Sequence, residues 1–383
     1  MRLRIILVLS LLLITVSQAF ALEEMTIKNM WFSRMVSGTV GILKTTKLEA
    51  NGVQLLDQPS VEFMVDVEYK GKIISLLPGD FDVMDVKTSE VNKVTKTSIE
   101  MLSHNSDFPL RVSVDYYSEP KALYMQKSIH IAPCKKPSGA VLKRVSIEYF
   151  RLKDAYMPVV PLNRYVLEPG DETKAISSDV KNDFGFEGYS DFAVVDPKTN
   201  KGIFFVAEPQ RAKIFATSRH YLTITEEANV PIEKGYETAR TTIGVAAGPP
   251  EIIYKQYREY LLNSRCAMLG SSKKLGEFKK KFNTYFQACQ YVSIPLESMG
   301  IDAEAHAVGN KGFIILFNSS DKPQKIALPL DEPNLGLAGE VKLSDWTGLD
   351  SSSDMGAAGA GDKVEIEIGP GLMKIIGINI ASE

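Results

Sequence analysis

From residue 22 to residue 247 the sequence is a succession of short alternating runs, one every ten residues or so, with turn-forming residues between them. Period-two alternation puts one set of side chains on a core and the other in water, and a long series of such runs packs as antiparallel sheets. Residues 111–116 alternate polar with apolar, and so do residues 146–149. Residues 196–202, with Asp196, Pro197, Asn200 and Gly202, read as a hairpin turn between strands at 192–195 and 203–207. More than a dozen candidate strands in this stretch predict a large double sheet rather than a small immunoglobulin-like module.

The pattern changes at Gly248, Pro249 and Pro250. Proline in a first helical turn with Glu251 behind it is a helix start, and Ile253, Tyr257, Tyr260 and Leu261 follow at helical spacing. A second amphipathic helix carries a stripe of Leu275, Phe278, Phe282, Tyr285, Phe286 and Cys289, with Lys273, Lys274, Lys279, Lys280 and Lys281 on its other face. Such a helix either sits on a membrane surface or partner, or packs its stripe on the protein's own sheet; the second reading is preferred. From Tyr291 strands return, at 313–317, 325–328, 363–368 and 373–380, predicting a smaller antiparallel sandwich over 291–383. Residues 351–361, rich in Gly, Ala and Ser, read as a flexible loop.

The first residues read as an export signal. Arg2 and Arg4 precede an apolar stretch over 5–16, and Ala19-Phe20-Ala21 offers small residues where a signal peptidase reads them. The expectation is a signal peptide over 1–21, an exported protein (periplasmic or extracellular) and no integral membrane segment after cleavage; an uncleaved N-terminal anchor is the alternative. Of 383 residues 44% are hydrophobic and 24% charged, and the net charge is −3, so the chain is globular and lacks the basic excess of a nucleic-acid binder. The three cysteines leave two readings open: a bridge between Cys266 and Cys289 with Cys134 free, or three small buried hydrophobes.

No HExxH, GxSxG, CxxC or dinucleotide glycine fingerprint occurs, so neither a metal nor a cofactor is expected. Asp302, Glu304 and His306 alternate with alanines and share one face of a strand. They suit metal ligation or acid–base work, but a solvated sheet face explains them and is preferred. The loop over 179–189 mixes carboxylates with aromatics. Asp183, Phe184, Phe186, Glu187 and Tyr189 are its candidate ligand-binding residues, because rings cover the apolar faces of a sugar while carboxylates accept its hydroxyls. A loop anchored by its aromatics is the competing reading.

The order of these pieces resembles glycoside hydrolase family 36, the α-galactosidase type. Thr45-Thr46-Lys47-Leu48 with Asn51-Gly52 and Gln54-Leu55-Leu56 resembles that family's opening hairpin, continued by Ser60-Val61-Glu62-Phe63 and Gly79-Asp80-Phe81. The stretch from Val112 through Tyr116 to Ile129 resembles its paired sandwich strands, Phe192 to Phe205 its late hairpin, and Tyr254 to Leu262 the helix that leaves the domain. Gly312 to Asn318 and Leu328-Pro329-Leu330 resemble its C-terminal β-domain. The resemblance implies the family's galactose-mutarotase-like super-sandwich domain over 22–262 and its C-terminal β-domain over 291–383; with the strand and helix patterns this gives a mainly β protein, a β-super-sandwich over 22–247, a linker of two helices over 248–290 and a C-terminal β-sandwich over 291–383. In that family a catalytic (β/α)8 barrel lies between the two β-domains, and such a barrel takes roughly 250 residues. Here the interval is residues 263–290, so no barrel fits and no catalytic residue transfers.

Three functions follow. The first is a non-catalytic protein that binds a glycan or oligosaccharide. The second is a scaffold whose surfaces are covered by a protein partner or by self-association. The third is a divergent carbohydrate-active enzyme of the glycoside hydrolase kind.

Overall fold

A computed structural model describes residues 22–38, 42–135, 139–159, 186–189, 191–196, 198–208, 211–216, 221–247, 250–288, 290–292, 301–318, 320, 322–330 and 335–380. It is mainly β, with 59% strand and 12% helix, as the alternation predicts. Every strand pair among these residues is antiparallel.

Three sheets build the N-terminal part. A five-stranded sheet opens the chain, from Met25–Lys28 to Ser60–Val61. A nine-stranded sheet runs in the order Met157–Val159, Asp191–Asp196, Lys201–Val206, Thr241–Ala247, Tyr124–Pro133, Leu110–Ser118, Val94–Ser103, Phe81–Val91, with Tyr236–Glu237 at its side. A six-stranded sheet runs Phe186–Tyr189, Ala212–Ala216, Tyr221–Pro231, Val141–Arg151, Met64–Tyr69, Lys72–Leu76. Their inner faces share one core, in which Phe63, Val112, Val114, Ile129, Ile147, Phe150, Phe205 and Ile224 are buried. The predicted hairpin is present: Asp191–Asp196 pairs with Lys201–Val206, and the Asp196 carboxylate closes the turn by accepting from the Lys198 amide and the Thr199 hydroxyl.

Those two strands read as continuous apolar runs because both faces are covered. Val194, Ile203 and Phe205 point into the sandwich, while Ala193, Val195, Phe204 and Val206 meet a second apolar layer formed by helices. Helix α1 (Pro250–Met268) starts at the predicted proline. The second helical segment breaks at Phe282 into α2 (Ser272–Lys281) and the single turn α3 (Asn283–Phe286), so the described residues of the linker form three helices where two were expected. Its aromatic stripe packs inward as expected, with Leu275 and Phe278 buried and Phe282, Tyr285 and Phe286 half-buried against the same layer. The layer's far wall is the C-terminal sheet, through Phe313, Ile315, Phe317, Trp346 and Ile375.

That C-terminal sheet runs Gln290–Val292, Ile301–Val308, Lys311–Asn318, Met373–Ile378, Glu340–Asp345, Ser353–Gly359, and faces a two-stranded sheet of Gln324–Pro329 with Lys363–Ile368. Ile314, Leu316, Ile326, Leu328, Ile366 and Ile376 fill the space between them. One expectation fails here. The small-residue stretch read as a loop is the edge strand Ser353–Gly359, paired with Glu340–Asp345. Its side chains carry no apolar alternation because much of it is exposed, so only the ladder reveals it.

Candidate functional site

The chain contains a constellation that looks catalytic until its burial is considered. Arg34, Thr45, Glu62, Tyr116, Lys127 and Glu148 come from all three N-terminal sheets and the link between them, and each is 0–1% exposed. Arg34 is bidentate to Glu148, at 2.8 and 2.9 Å, and reaches Glu62 at 2.7 Å. The Lys127 ammonium donates to Glu62 Oε2 at 2.8 Å, to the Glu62 carbonyl at 2.5 Å and to Glu148 Oε2 at 3.2 Å. The Thr45 and Tyr116 hydroxyls both donate to the Glu62 carboxylate. Burial alone pushes the Glu62 carboxyl up; the Arg34 and then the Lys127 charges outweigh it and hold it at about 2. Burial, and after it the Glu62 charge, raises the Tyr116 phenol well above its ordinary value. Two cations balance two carboxylates, and nothing is left open to a substrate. The arrangement is an interior ionic lock between sheets. The sequence reading placed Glu148 on a watered face; a bulge between Ser146 and Glu148 breaks the alternation and turns Glu148 inward.

Asp302, Glu304 and His306 do share the strand Ile301–Val308, but the preferred solvated face is contradicted. Glu304 is 3% and His306 6% exposed, beneath α1 and α3. Arg258 on α1 approaches Glu304 at 3.4 Å and lies 4.1 Å above the Phe317 ring. His306 Nε2 stands 3.2 Å from Glu304 Oε1 and Nδ1 2.8 Å from the Ala288 carbonyl, with Phe286 tilted against the ring. The strand lies under helices because α1 and α3 need a partner face, which strand periodicity does not encode. Among the described residues no group of three metal-ligating side chains converges. Cys134 and Cys266 are free thiols; Cys266 is buried, which pushes its thiol up to about 11.

Of the predicted ligand residues, Asp183 and Phe184 lie outside the described residues. Phe186, Glu187 and Tyr189 belong to the edge strand Phe186–Tyr189 rather than to a loop. Its register matters. Glu187 pairs with Phe215, Phe215 with Thr223, and Thr223 with Tyr149, one row across four strands. Phe215, Thr223 and Tyr149 share the outer face, since Ile214, Leu222 and Ile224 between them are buried in the core. Beside the row, Tyr221 pairs with Arg151.

This outer face carries an aromatic pair that sequence reasoning missed. The Tyr149 and Tyr221 rings lie 5.7 Å apart at 37°, both half-buried, and the Arg151 guanidinium stands 5.8 Å from the Tyr221 ring. Arg151 pairs with Asp57 and, at 3.6 Å, with Asp154; the Gln58 amide donates to the Tyr221 hydroxyl at 3.4 Å. Burial, then the neighbouring Tyr221, raises the Tyr149 phenol, so it stays a neutral donor. Rings beside exposed amide, carboxylate and guanidinium groups match the two surfaces of a pyranose: apolar C–H faces and a hydroxyl rim. The C-terminal sandwich has an open cavity of about 350 Å3 lined by Lys342, Ser344, Ser352, Asp354 and Asn379. Much of its polar lining is already committed. Ser344 donates to the Ile380 carbonyl and accepts from Trp346 Nε1, while Asn379 accepts from the Lys342 amide and donates to the Asn310 carbonyl.

No protein-family model and no curated protein matches the chain. Solved structures similar to parts of it include an α-galactosidase from Lactobacillus brevis, at 9% identity over 59% of this chain and 40% of that one, TM-score 0.39. A GH36 α-galactosidase from Geobacillus stearothermophilus is similar at 10% identity over 62% and 43%, TM-score 0.42. A putative aldose 1-epimerase from Escherichia coli K12 is similar at 12% identity over 59% and 99%, TM-score 0.36. The structural neighbours thus include glycoside hydrolase and mutarotase-like proteins, and the chain spans less than half the length of either α-galactosidase. Identities and scores this low transfer no residue role.

Proposed function

We propose that this protein is an exported, non-catalytic carbohydrate-binding protein, built like the flanking β-domains of the GH36 glycoside hydrolases without their barrel. The observation that carries the proposal is the half-buried Tyr149–Tyr221 pair on the outer face of the six-stranded sheet, with Arg151, Asp57 and Gln58 beside it. Glu187 joins the same row through the strand register. Glu62 and Glu148 are sealed and cannot be a glycosidase's pair, whose carboxyl groups must both be open to the scissile bond. On this reading residues 1–21 are a signal peptide and 22–247, 248–290 and 291–383 are the structural units.

The test is a glycan array followed by calorimetry on the mature protein. Binding of at least one neutral oligosaccharide is expected, weakened about tenfold or more by Tyr221→Ala with an unchanged melting temperature. No binding to any sugar, or binding indifferent to a Tyr149→Ala, Tyr221→Ala double variant, overturns it. Sequencing the N-terminus of secreted material, expected to begin after Ala21, tests export. The scaffold reading draws support from the exposed edge strand Ser353–Gly359, which presents unpaired backbone groups. A monodisperse monomer in light scattering counts against it.

A further inference from the structure

The exposed part of the nine-stranded sheet holds a second constellation, independent of the glycan face. Arg240 leads into the strand Thr241–Ala247, and its guanidinium carbon lies 3.9 Å over the Tyr117 ring, which is 9% exposed. Lys96 pairs in register with Tyr117 and holds its ammonium 5.7 Å from the same ring. The neighbouring carboxylate, Asp115, is already spoken for: Lys96 at 2.7 Å, the Ser98 hydroxyl at 2.5 Å and the Ser113 hydroxyl at 2.9 Å all donate to it. Among the described residues Arg240 makes no hydrogen bond and no ion pair, while its side chain is exposed.

The mount beneath Arg240 is rigid. The Ala239 amide donates to Glu226 Oε2, Thr238 exchanges bonds with the Ile129 backbone through its own amide and its hydroxyl, and the Thr241 hydroxyl donates to the Lys127 carbonyl. Thr238, Ala239 and Thr241 are 1–3% exposed. A guanidinium held over a ring by its carbon leaves its N–H donors available, and among the described residues no acceptor takes them. The charges around Tyr117 sum to one positive: Arg240 and Lys96 against Asp115.

We propose that Arg240, stacked on Tyr117 beside Lys96, is the recognition site for a carboxylate-bearing ligand, held bidentately by the guanidinium edge. A planar carboxylate matches the fork; a neutral sugar offers it no anionic edge. The carboxylate comes either from a uronic-acid residue of a saccharide or from a simple organic acid. The experiment is an NMR titration of the full mature chain at low salt, reading the Arg240 Nε–Hε resonance, with glucuronate, acetate and glucose as separate probes. Glucuronate and acetate are expected to shift that resonance and glucose to leave it in place. Arg240→Lys, which keeps the charge but loses the fork, is expected to weaken glucuronate about tenfold or more with melting unchanged. Tyr117→Leu, which removes the platform, is expected to weaken it similarly. Tighter binding of glucuronate than of acetate assigns the saccharide source, and equal binding the simple acid; both support the site. An Arg240 resonance unmoved by either carboxylate, or glucuronate binding indifferent to Arg240→Lys, overturns it.

Discussion

The large sandwich and the helical layer beside it both bury ions, and they do it differently. In the sandwich two cations meet two carboxylates at 2.7–3.2 Å, with two hydroxyls completing the shell. In the helical layer one carboxylate, Glu304, sits between Arg258 at 3.4 Å and a histidine at 3.2 Å. There the surroundings are rings rather than hydroxyls. Phe278 contacts Phe282, Phe286, Phe313 and Trp346 with centroids 4.9–5.8 Å apart. The balanced quartet is satisfied in one arrangement of the three sheets, beside an otherwise apolar core. A helix laid on a sheet is positioned by side-chain shape, and its ions are secondary.

Five experiments bear on that contrast, from the largest effect to the smallest. Arg34→Met leaves Lys127 as the one cation facing both Glu62 and Glu148, and is expected to cost about 3–5 kcal/mol in denaturant unfolding, because it strands buried charge. The same lock predicts an acid limit. The folded Glu62 carboxyl, at about 2, lies below its ordinary 4.5, so its stabilisation is complete above about pH 4.5 and disappears as pH falls toward 2. A flat melting temperature across that window would break the comparison. Phe278→Ala is expected to cost about 3 kcal/mol, the low end for a buried phenylalanine because α2 has one solvent face and can settle. Hydrogen exchange should then quicken in α2 and the C-terminal sheet while the large sandwich keeps its protection. Glu304→Gln should cost about 2 kcal/mol, the value of charged hydrogen bonds lost rather than of a lock undone. If it equals Arg34→Met, the two regions are not different in kind. Lys274→Ala removes an exposed pair with Asp350 and should change stability by less than about 1 kcal/mol.

Alternation was enough to place most strands, the 196–202 hairpin and the helix beginning at Pro250, since each rests on local chemistry. The inward stripe of Leu275 and Phe278 was legible for the same reason. What escaped was decided between distant segments. Arg34 and Lys127 occupy ordinary polar positions of alternating strands, and nothing local says that a third sheet will close over them. Glu304 and His306 read as a watered face because α1, which covers them, begins 51 residues before their strand. The candidate binding face was half legible: Glu187 was singled out, but its row with Phe215 and Tyr149 exists only through strand register. Gly244 shows the same limit. A Cβ there would fall inside the Phe204 ring, so the ring that supports α1 through Tyr260 requires a bare backbone at that position.

The interior lock also sets an order of arrival. Arg34 and Glu148 are 114 positions apart, and Glu62 and Lys127 are 65 apart. As the chain leaves the ribosome, the opening hairpin has Glu62 for company but no second carboxylate until the strand Val141–Arg151 has emerged. Until then a guanidinium destined for the centre of the molecule has every reason to stay wet, and the early sheets every reason to stay apart. The lock therefore cannot be completed before the strand Val141–Arg151 is made, and a nascent chain halted before residue 141 should remain open and protease-sensitive, however complete its first hairpins are.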